Sequence, residues 1–186
     1  MDEFKPKNLI LIGMMGSGKS SIGMKLAQDL EIDFIDTDQL IETQYDLIIN
    51  LINEKGEEFF RNIESQVLQD LNQEKFSQNK IIATGGGIIL REQNRKILKE
   101  LGLIIWLKVK PETILSRLKK QENENRPLLK SNSEDEKLSK IINILKVREN
   151  LYADLADLVI DTDKIKNLAE ISEKIINYFK NGNFTQ

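Results

Sequence analysis

The chain has no cysteine and no histidine. Without cysteine there is no disulfide framework, no thiolate nucleophile and no cysteine-ligated metal, and a reducing cytoplasm is permitted. Without histidine, His-ligated zinc is excluded, and any general base must be Asp, Glu, Lys or Tyr. Long apolar runs are also missing. The uncharged stretches Asn8–Gly18 and Ile81–Leu90 span roughly ten residues each, against the ~18 that a membrane helix needs. Residues Met1-Asp2-Glu3-Phe4-Lys5-Pro6-Lys7 lack the apolar core of a signal peptide. Nor does one sign of charge dominate. The 27 basic and 30 acidic residues leave a net −3, which argues against a surface that coats nucleic acid. Any attraction for an anionic ligand must then come from local positive groups.

What is present begins with Gly13-Met14-Met15-Gly16-Ser17-Gly18-Lys19-Ser20, which fits G-x-x-x-x-G-K-[ST] without a mismatch. The apolar run Leu9–Ile12 before it suits a buried parallel strand, and Ile22, Leu26 and Leu30 after it, spaced by four, mark one face of a helix. Glycines allow positive φ and close approach to a ligand, and the turn aims several N–H groups at one spot beside the positive end of a helix. Gly16, Ser17 and Gly18 are therefore expected to cradle a nucleoside triphosphate. Lys19 would reach its β- and γ-phosphates, and the Ser20 hydroxyl would ligate Mg²⁺.

Further along, Phe34-Ile35 reads as the end of a second strand, with Asp36 and Asp38 following. Two carboxylates at the carboxyl edge of a parallel sheet can bind Mg²⁺ and accept a proton; either can equally cap a helix beginning near Gln39. Leu47–Ile52 and Glu57–Phe76 read as helices. In the second, Arg61 and Glu64 form either an exposed i,i+3 ion pair or an oriented anion-binding arginine. Lys80–Ala83 leads into Gly85-Gly86-Gly87 with apolar residues on both sides, which favours a buried turn where a ligand lies against bare backbone. Gln93–Leu101 is a helical pattern, Leu103–Leu107 a buried strand in which Trp106 belongs to the core, and Pro111 opens a helix that carries Arg117. Lys119–Lys137 is the one clear composition shift and reads as a mobile surface loop with Arg126-Pro127 at its centre, a pattern suited to a closing lid. The helix Leu138–Leu155 places Arg148 on its apolar stripe, where a guanidinium needs an anionic partner or must snorkel to water. Leu158–Ile160 and the amphipathic stretch from Leu168 to Phe179 close the chain, and Asn181–Gln186 is expected to fray. Apolar runs alternating with helical patterns, with no internal repeat, predict one α/β domain over residues 1–186 with a parallel sheet covered on both faces.

Taken together, these segments resemble the shikimate kinase family. The resemblance rests on the phosphate loop, Phe34-Ile35-Asp36-Thr37-Asp38, Gly56-Glu57 leading to Phe60-Arg61-x-x-Glu64, and Ala83-Thr84-Gly85-Gly86-Gly87. Arg126-Pro127-Leu128-Leu129 and Arg148-x-x-x-Tyr152-x-x-x-Ala156-Asp157 complete it, so that it spans nearly the whole chain in family order. It implies a P-loop, nucleoside-monophosphate-kinase-like fold: three α/β/α layers, a five-stranded parallel sheet, a substrate-binding helical region at about 37–65 and a lid at about 119–135. The implied reaction is phosphoryl transfer from MgATP to the 3-hydroxyl of shikimate, a step of chorismate and aromatic amino-acid biosynthesis. By resemblance, Asp38 contacts the substrate hydroxyls and is the candidate base, and Asp36 supports Mg²⁺ with Ser20. Arg61 and Arg148 hold the shikimate carboxylate, Gly85, Gly86 and Gly87 line the same pocket, and Lys19 and Arg126 act on the transferring group. Arg117 stacks on adenine. A cytoplasmic monomer with a small-molecule substrate, and with neither a nucleic-acid nor a membrane partner, is expected. The chain departs from the family at Ile52, where phenylalanine is common, and at Asn150, where proline is usual. A gluconate or nucleotide kinase of the same fold is the competing reading. A regulatory GTPase would need Asn-Lys-x-Asp, which Asn79-Lys80-Ile81-Ile82 does not supply.

Overall fold

The computed structural model describes residues 8–73, 79–120, 133–165 and 167–180. Five parallel strands form one sheet: β1 (Asn8–Ile12), β2 (Asp33–Asp36), β3 (Lys80–Ala83), β4 (Gly102–Lys108) and β5 (Leu158–Asp161), in the order β2-β3-β1-β4-β5. The side-chain period of two divides each strand between two cores. Ile10, Ile12, Ile82, Ile104 and Trp106 face one side, and Leu9, Leu11, Ile81, Ile105 and Leu107 face the other. With both faces covered, the strands are continuously apolar rather than alternating, as parallel sheets require.

The second of these faces is covered by α1 (Lys19–Leu30) and α8 (Leu168–Lys180), through Ile22 and Leu26 on the former and Ile171, Ile175 and Phe179 on the latter. Between these two helices the Ser172 hydroxyl, fully buried, donates to Asp29 at 2.6 Å. The first face is covered by α4 (Glu57–Gln73), α5 (Glu92–Leu101) and α7 (Glu134–Leu155), with Leu51 of α3 (Ile48–Lys55) also joining that core. The short helix α2 (Thr37–Gln44) follows β2 directly, and α6 (Pro111–Lys120) follows β4. A small third cluster, formed by Met14, Val109, Ile114 and Ile141, seats the phosphate loop between α6 and α7. β1 lies where chain connections diverge to either side, with β3 and β4 as its neighbours, and this is where open α/β sheets bind ligands.

Two boundaries differ from the sequence reading. The polar stretch read as a loop over Lys119–Lys137 is helical at both margins, since α6 runs to Lys120 and α7 starts at Glu134. Ser133 caps α7 by accepting from the Glu136 N–H at 3.2 Å, and Glu134, Asp135 and Glu136 place negative charge at the positive end of the helix. The Ser-x-x-Glu spacing carried that signal, and polarity alone obscured it. Secondly, residues 88–90 form a 3-10 turn after the glycines, stapled by Asn94 Nδ2 to the Ile88 carbonyl (3.1 Å) and by Arg95 to Ile89 and Leu90. Among the described residues no helix is long and apolar enough to cross a membrane. The end of the helix read to Phe76, residues 181–186 and most of the expected lid, Arg126 included, lie outside the described residues.

Candidate active site

The phosphate loop joins β1 to α1 with Gly13, Gly16 and Gly18 at φ of 142°, 75° and 95°. A side chain at these positions would be strained, which is why glycine stands there. Gly18 is the N-cap of α1 and provides no side-chain acceptor, so the first N–H groups of the helix are left for a ligand. Lys19 folds along the loop, donating to the carbonyls of Gly13 (2.9 Å) and Met14 (3.1 Å). Ser17 is fully buried, and its hydroxyl has no hydrogen-bond partner among the described residues. Arg117 crosses from α6 and donates to the Gly16 carbonyl at 3.1 Å, which places it against the loop.

Asp36 caps α2 with one carboxylate oxygen and meets the phosphate-loop serine with the other. Its Oδ1 caps α2, accepting from Asp38 N–H (3.0 Å) and Gln39 N–H (3.4 Å), while Oδ2 accepts from the Ser20 hydroxyl at 2.6 Å. The sequence placed Ser20 and Asp36 as metal candidates, and the fold sets them in contact. Asp38 sits in the first turn of α2 rather than at the strand end, and lines the cleft.

That cleft, of about 560 Å³, runs from the loop to the glycine turn after β3. Gly16, Gly18, Lys19, Ser20, Asp36, Asp38, Arg61, the three glycines and Arg148 all line it, and Ile48, Ile49 and Ile52 form an apolar wall. The position where phenylalanine was anticipated is thus a wall position filled by Ile52.

The sequence reading expected bare backbone at the glycine turn, and close-packed side chains add a second reason for glycine there. None of Gly85, Gly86 or Gly87 has positive φ. They are small because three elements crowd them. A Cβ on Gly85 would lie 2.6 Å from Glu64 Oε1 and 2.7 Å from Asp38 Oδ1. One on Gly87 would meet the Arg61 guanidinium at 2.3 Å, and one on Gly86 would press on the backbone of Met15 and Gly13. The Gly85 N–H already donates to Thr37 Oγ1 (3.0 Å), and the Gly86 carbonyl accepts from both Arg148 Nη1 (3.1 Å) and the Tyr152 hydroxyl (2.6 Å).

Arg61 is buried at 7 % exposure, not surface-exposed. It is held by Glu57 at 2.9 Å and Glu64 at 2.5 Å. Burial works to lower its pKa, but the charges and hydrogen bonds of Glu64 and Glu57 outweigh it and raise the pKa, so the guanidinium stays charged. Arg148 is equally buried at 6 %, with Met14 Sδ 4.0 Å from its Nη1; it does not snorkel. For Glu64, burial pushes the carboxyl up to about 7; Arg61 opposes this, Asp38 adds to it, and Arg148 opposes it more weakly. Tyr152, fully buried and stacked on Trp106 with ring centroids 5.7 Å apart, is pushed up to about 12 by burial, so it remains a hydrogen-bond donor.

Glu57, Glu64, Thr37 and Tyr152 were not picked out as site residues. The signals were faint but present: Thr37 sits between the two aspartates, and Tyr152 lies one helical turn after Arg148 on the same stripe.

A cleft lined by a triphosphate loop and by two buried arginines suits a kinase acting on a small acid. Comparison with known proteins points the same way. The family model described as shikimate kinase matches residues 15–180. The shikimate kinase of Thioalkalivibrio sulfidiphilus is 39% identical over 177 residues, covering 95% of this chain and 88% of that protein. The shikimate kinase of Dictyoglomus turgidum is 40% identical over 173 residues, covering 91% and 95%. The solved shikimate kinase of Acinetobacter baumannii in complex with shikimate superposes with a TM-score of 0.86 at 30% identity, covering 98% of this chain and 97% of that one. This chain belongs to the shikimate kinase family.

Proposed function

We propose that this chain transfers the γ-phosphoryl group of MgATP to the 3-hydroxyl of shikimate, giving shikimate 3-phosphate and ADP for aromatic amino-acid biosynthesis. The observation that carries this reading is one cleft lined together by the phosphate loop, Asp38, Arg61 and Arg148. The loop N–H groups and Lys19 hold the β- and γ-phosphates. Two guanidiniums at one corner suit a carboxylate, which they bind bidentately. Asp38 faces the space between them and accepts the hydroxyl proton. The glycines leave that space free of side chains. With little covalent work for the protein to do, catalysis rests on positioning and on stabilising the transferring charge.

Ser20 and Asp36 fit Mg²⁺, because that ion is held by one or two protein oxygens together with phosphate oxygens and water. Their 2.6 Å contact supplies one hydroxyl and one carboxylate at the loop, and no cluster of three acidic ligands competes for the ion among the described residues. Bound there, Mg²⁺ neutralises phosphate charge. We assign the whole chain, 1–186, to one domain, with residues of about 37–65 forming the acceptor region, and 119–135 the lid from which Arg126 would reach the phosphates. Arg117, already at Gly16, is suited to the nucleotide base. The enzyme would act as a cytoplasmic monomer, without nucleic-acid or membrane partners.

The test is coupled ADP release with shikimate, quinate, gluconate or AMP as acceptor. Shikimate should stimulate ATP consumption well above the other three. Stimulation by gluconate or AMP alone would reassign the acceptor.

A further inference from the structure

The acid-binding corner sets two cations against three carboxylates. Arg61 lies between Glu57 and Glu64, Arg148 enters from α7, and Asp38 stands beside Glu64, both carboxylates lying within 2.7 Å of the point where a Gly85 Cβ would be. The charged and titratable groups facing Glu64 are Arg61 on α4, Asp38 on α2, and Arg148 and Tyr152 on α7, with Glu57 reaching it through Arg61. The glycine turn contributes only uncharged backbone. With Glu64 ionised, the corner is therefore negative before any ligand arrives. A carboxylate ligand adds another negative charge where water screens poorly. It also takes over the guanidiniums that keep Glu64 ionised. Glu57 is half-exposed and can remain hydrated; Glu64, 2 % exposed, cannot.

We propose that Glu64 is a positioning residue that takes one proton from solvent when a carboxylate ligand seats on Arg61 and Arg148, and returns it when the ligand leaves. This rests on the acid-binding reading given above. The neutral carboxyl still accepts a hydrogen bond from Arg61 but no longer rivals the ligand as a charge. Burial already holds Glu64 at about 7, so the linkage falls in the neutral range. The sign follows. Below that value Glu64 is protonated with or without ligand, and affinity is flat. Above it, binding requires a proton, and Kd weakens by ~tenfold per pH unit. The carboxylate of shikimate stays ionised throughout this range.

Calorimetric titration of the full chain with shikimate tests this, in HEPES and Tris, whose ionisation enthalpies differ. The expected result is a Kd that rises about fivefold from about pH 7 to about pH 8, with uptake of about one proton at the upper end. Glu64→Gln keeps an amide oxygen for Arg61 and should bind with a flat pH profile and no uptake. Binding without proton uptake in the unmodified chain overturns the proposal, whether or not Glu64→Gln folds. An unchanged slope in Glu64→Gln also overturns it. No shikimate binding at any pH would instead sink the acid-binding reading itself.

Discussion

The two ends of the cleft are made of different material. At the phosphate end the recognising groups belong to the backbone: glycines at positive φ, the uncapped start of α1, and one lysine lying along the loop. At the acid end they are side chains delivered by α2, α4 and α7, and the local backbone yields space to them. A backbone site depends on conformation that neighbouring side chains hardly alter. A side-chain site depends on its partners, so burial and nearby charge can tune it. On the proposed reading, one set of lining groups serves a feature common to every triphosphate and the other a single acceptor.

Substitutions at the acid end should therefore separate the two substrates. The largest effect is expected of Arg148→Ala, which removes a buried charge-assisted donor and should raise the KM for shikimate ~100-fold. The KM for ATP should stay near its original value in the same assay, and equal loss of both would erase the distinction between the ends. Gly87→Ala tests whether the glycines serve close approach. The added methyl meets the Arg61 guanidinium at 2.3 Å while Glu57 and Glu64 resist its displacement, so the KM for shikimate should rise about tenfold. A normal KM there would mean that Arg61 has room to move. Tyr152→Phe is the mildest. Loss of one hydrogen bond to the Gly86 carbonyl, worth about 1 kcal/mol, should raise the KM for shikimate about fivefold and leave the KM for ATP unchanged. Because Trp106 is the only tryptophan and stacks on Tyr152, its emission should also respond to shikimate in the unmodified chain and less in the variant. No difference between the two would detach Tyr152 from the site.

The difference between the ends also explains what the sequence disclosed. The loop is contiguous, so its strand, glycines, lysine and serine could be read directly, and the alternating apolar and helical segments gave the parallel sheet. Asp36 looked ambiguous because one carboxylate has two oxygens: one caps α2, and the other accepts from the Ser20 hydroxyl. The acid corner was harder to read. Arg61 and Glu64 at i,i+3 have the pattern of a solvated pair, and only the packing of α4 against the glycine turn buries them. The glycines were identified as a close approach, and side chains of this chain are among what approaches them. The start of α7 was hidden by polarity, although Ser133 and Glu136 stood at capping distance.

The strand order has a consequence for synthesis. β1 is written first among the strands, yet it lies between β3 and β4, and α1 is covered by α8, the last helix described. A chain emerging from the ribosome carries the complete phosphate-binding motif long before it can hold that motif in shape. β4 must arrive to flank β1, and Ser172 must reach Asp29 before α1 gains its final support. Non-local parallel pairing of this kind is slow and leaves apolar surface open in the meantime. The apolar faces of β1 and α1 thus stay uncovered until β4 and α8 have been synthesised.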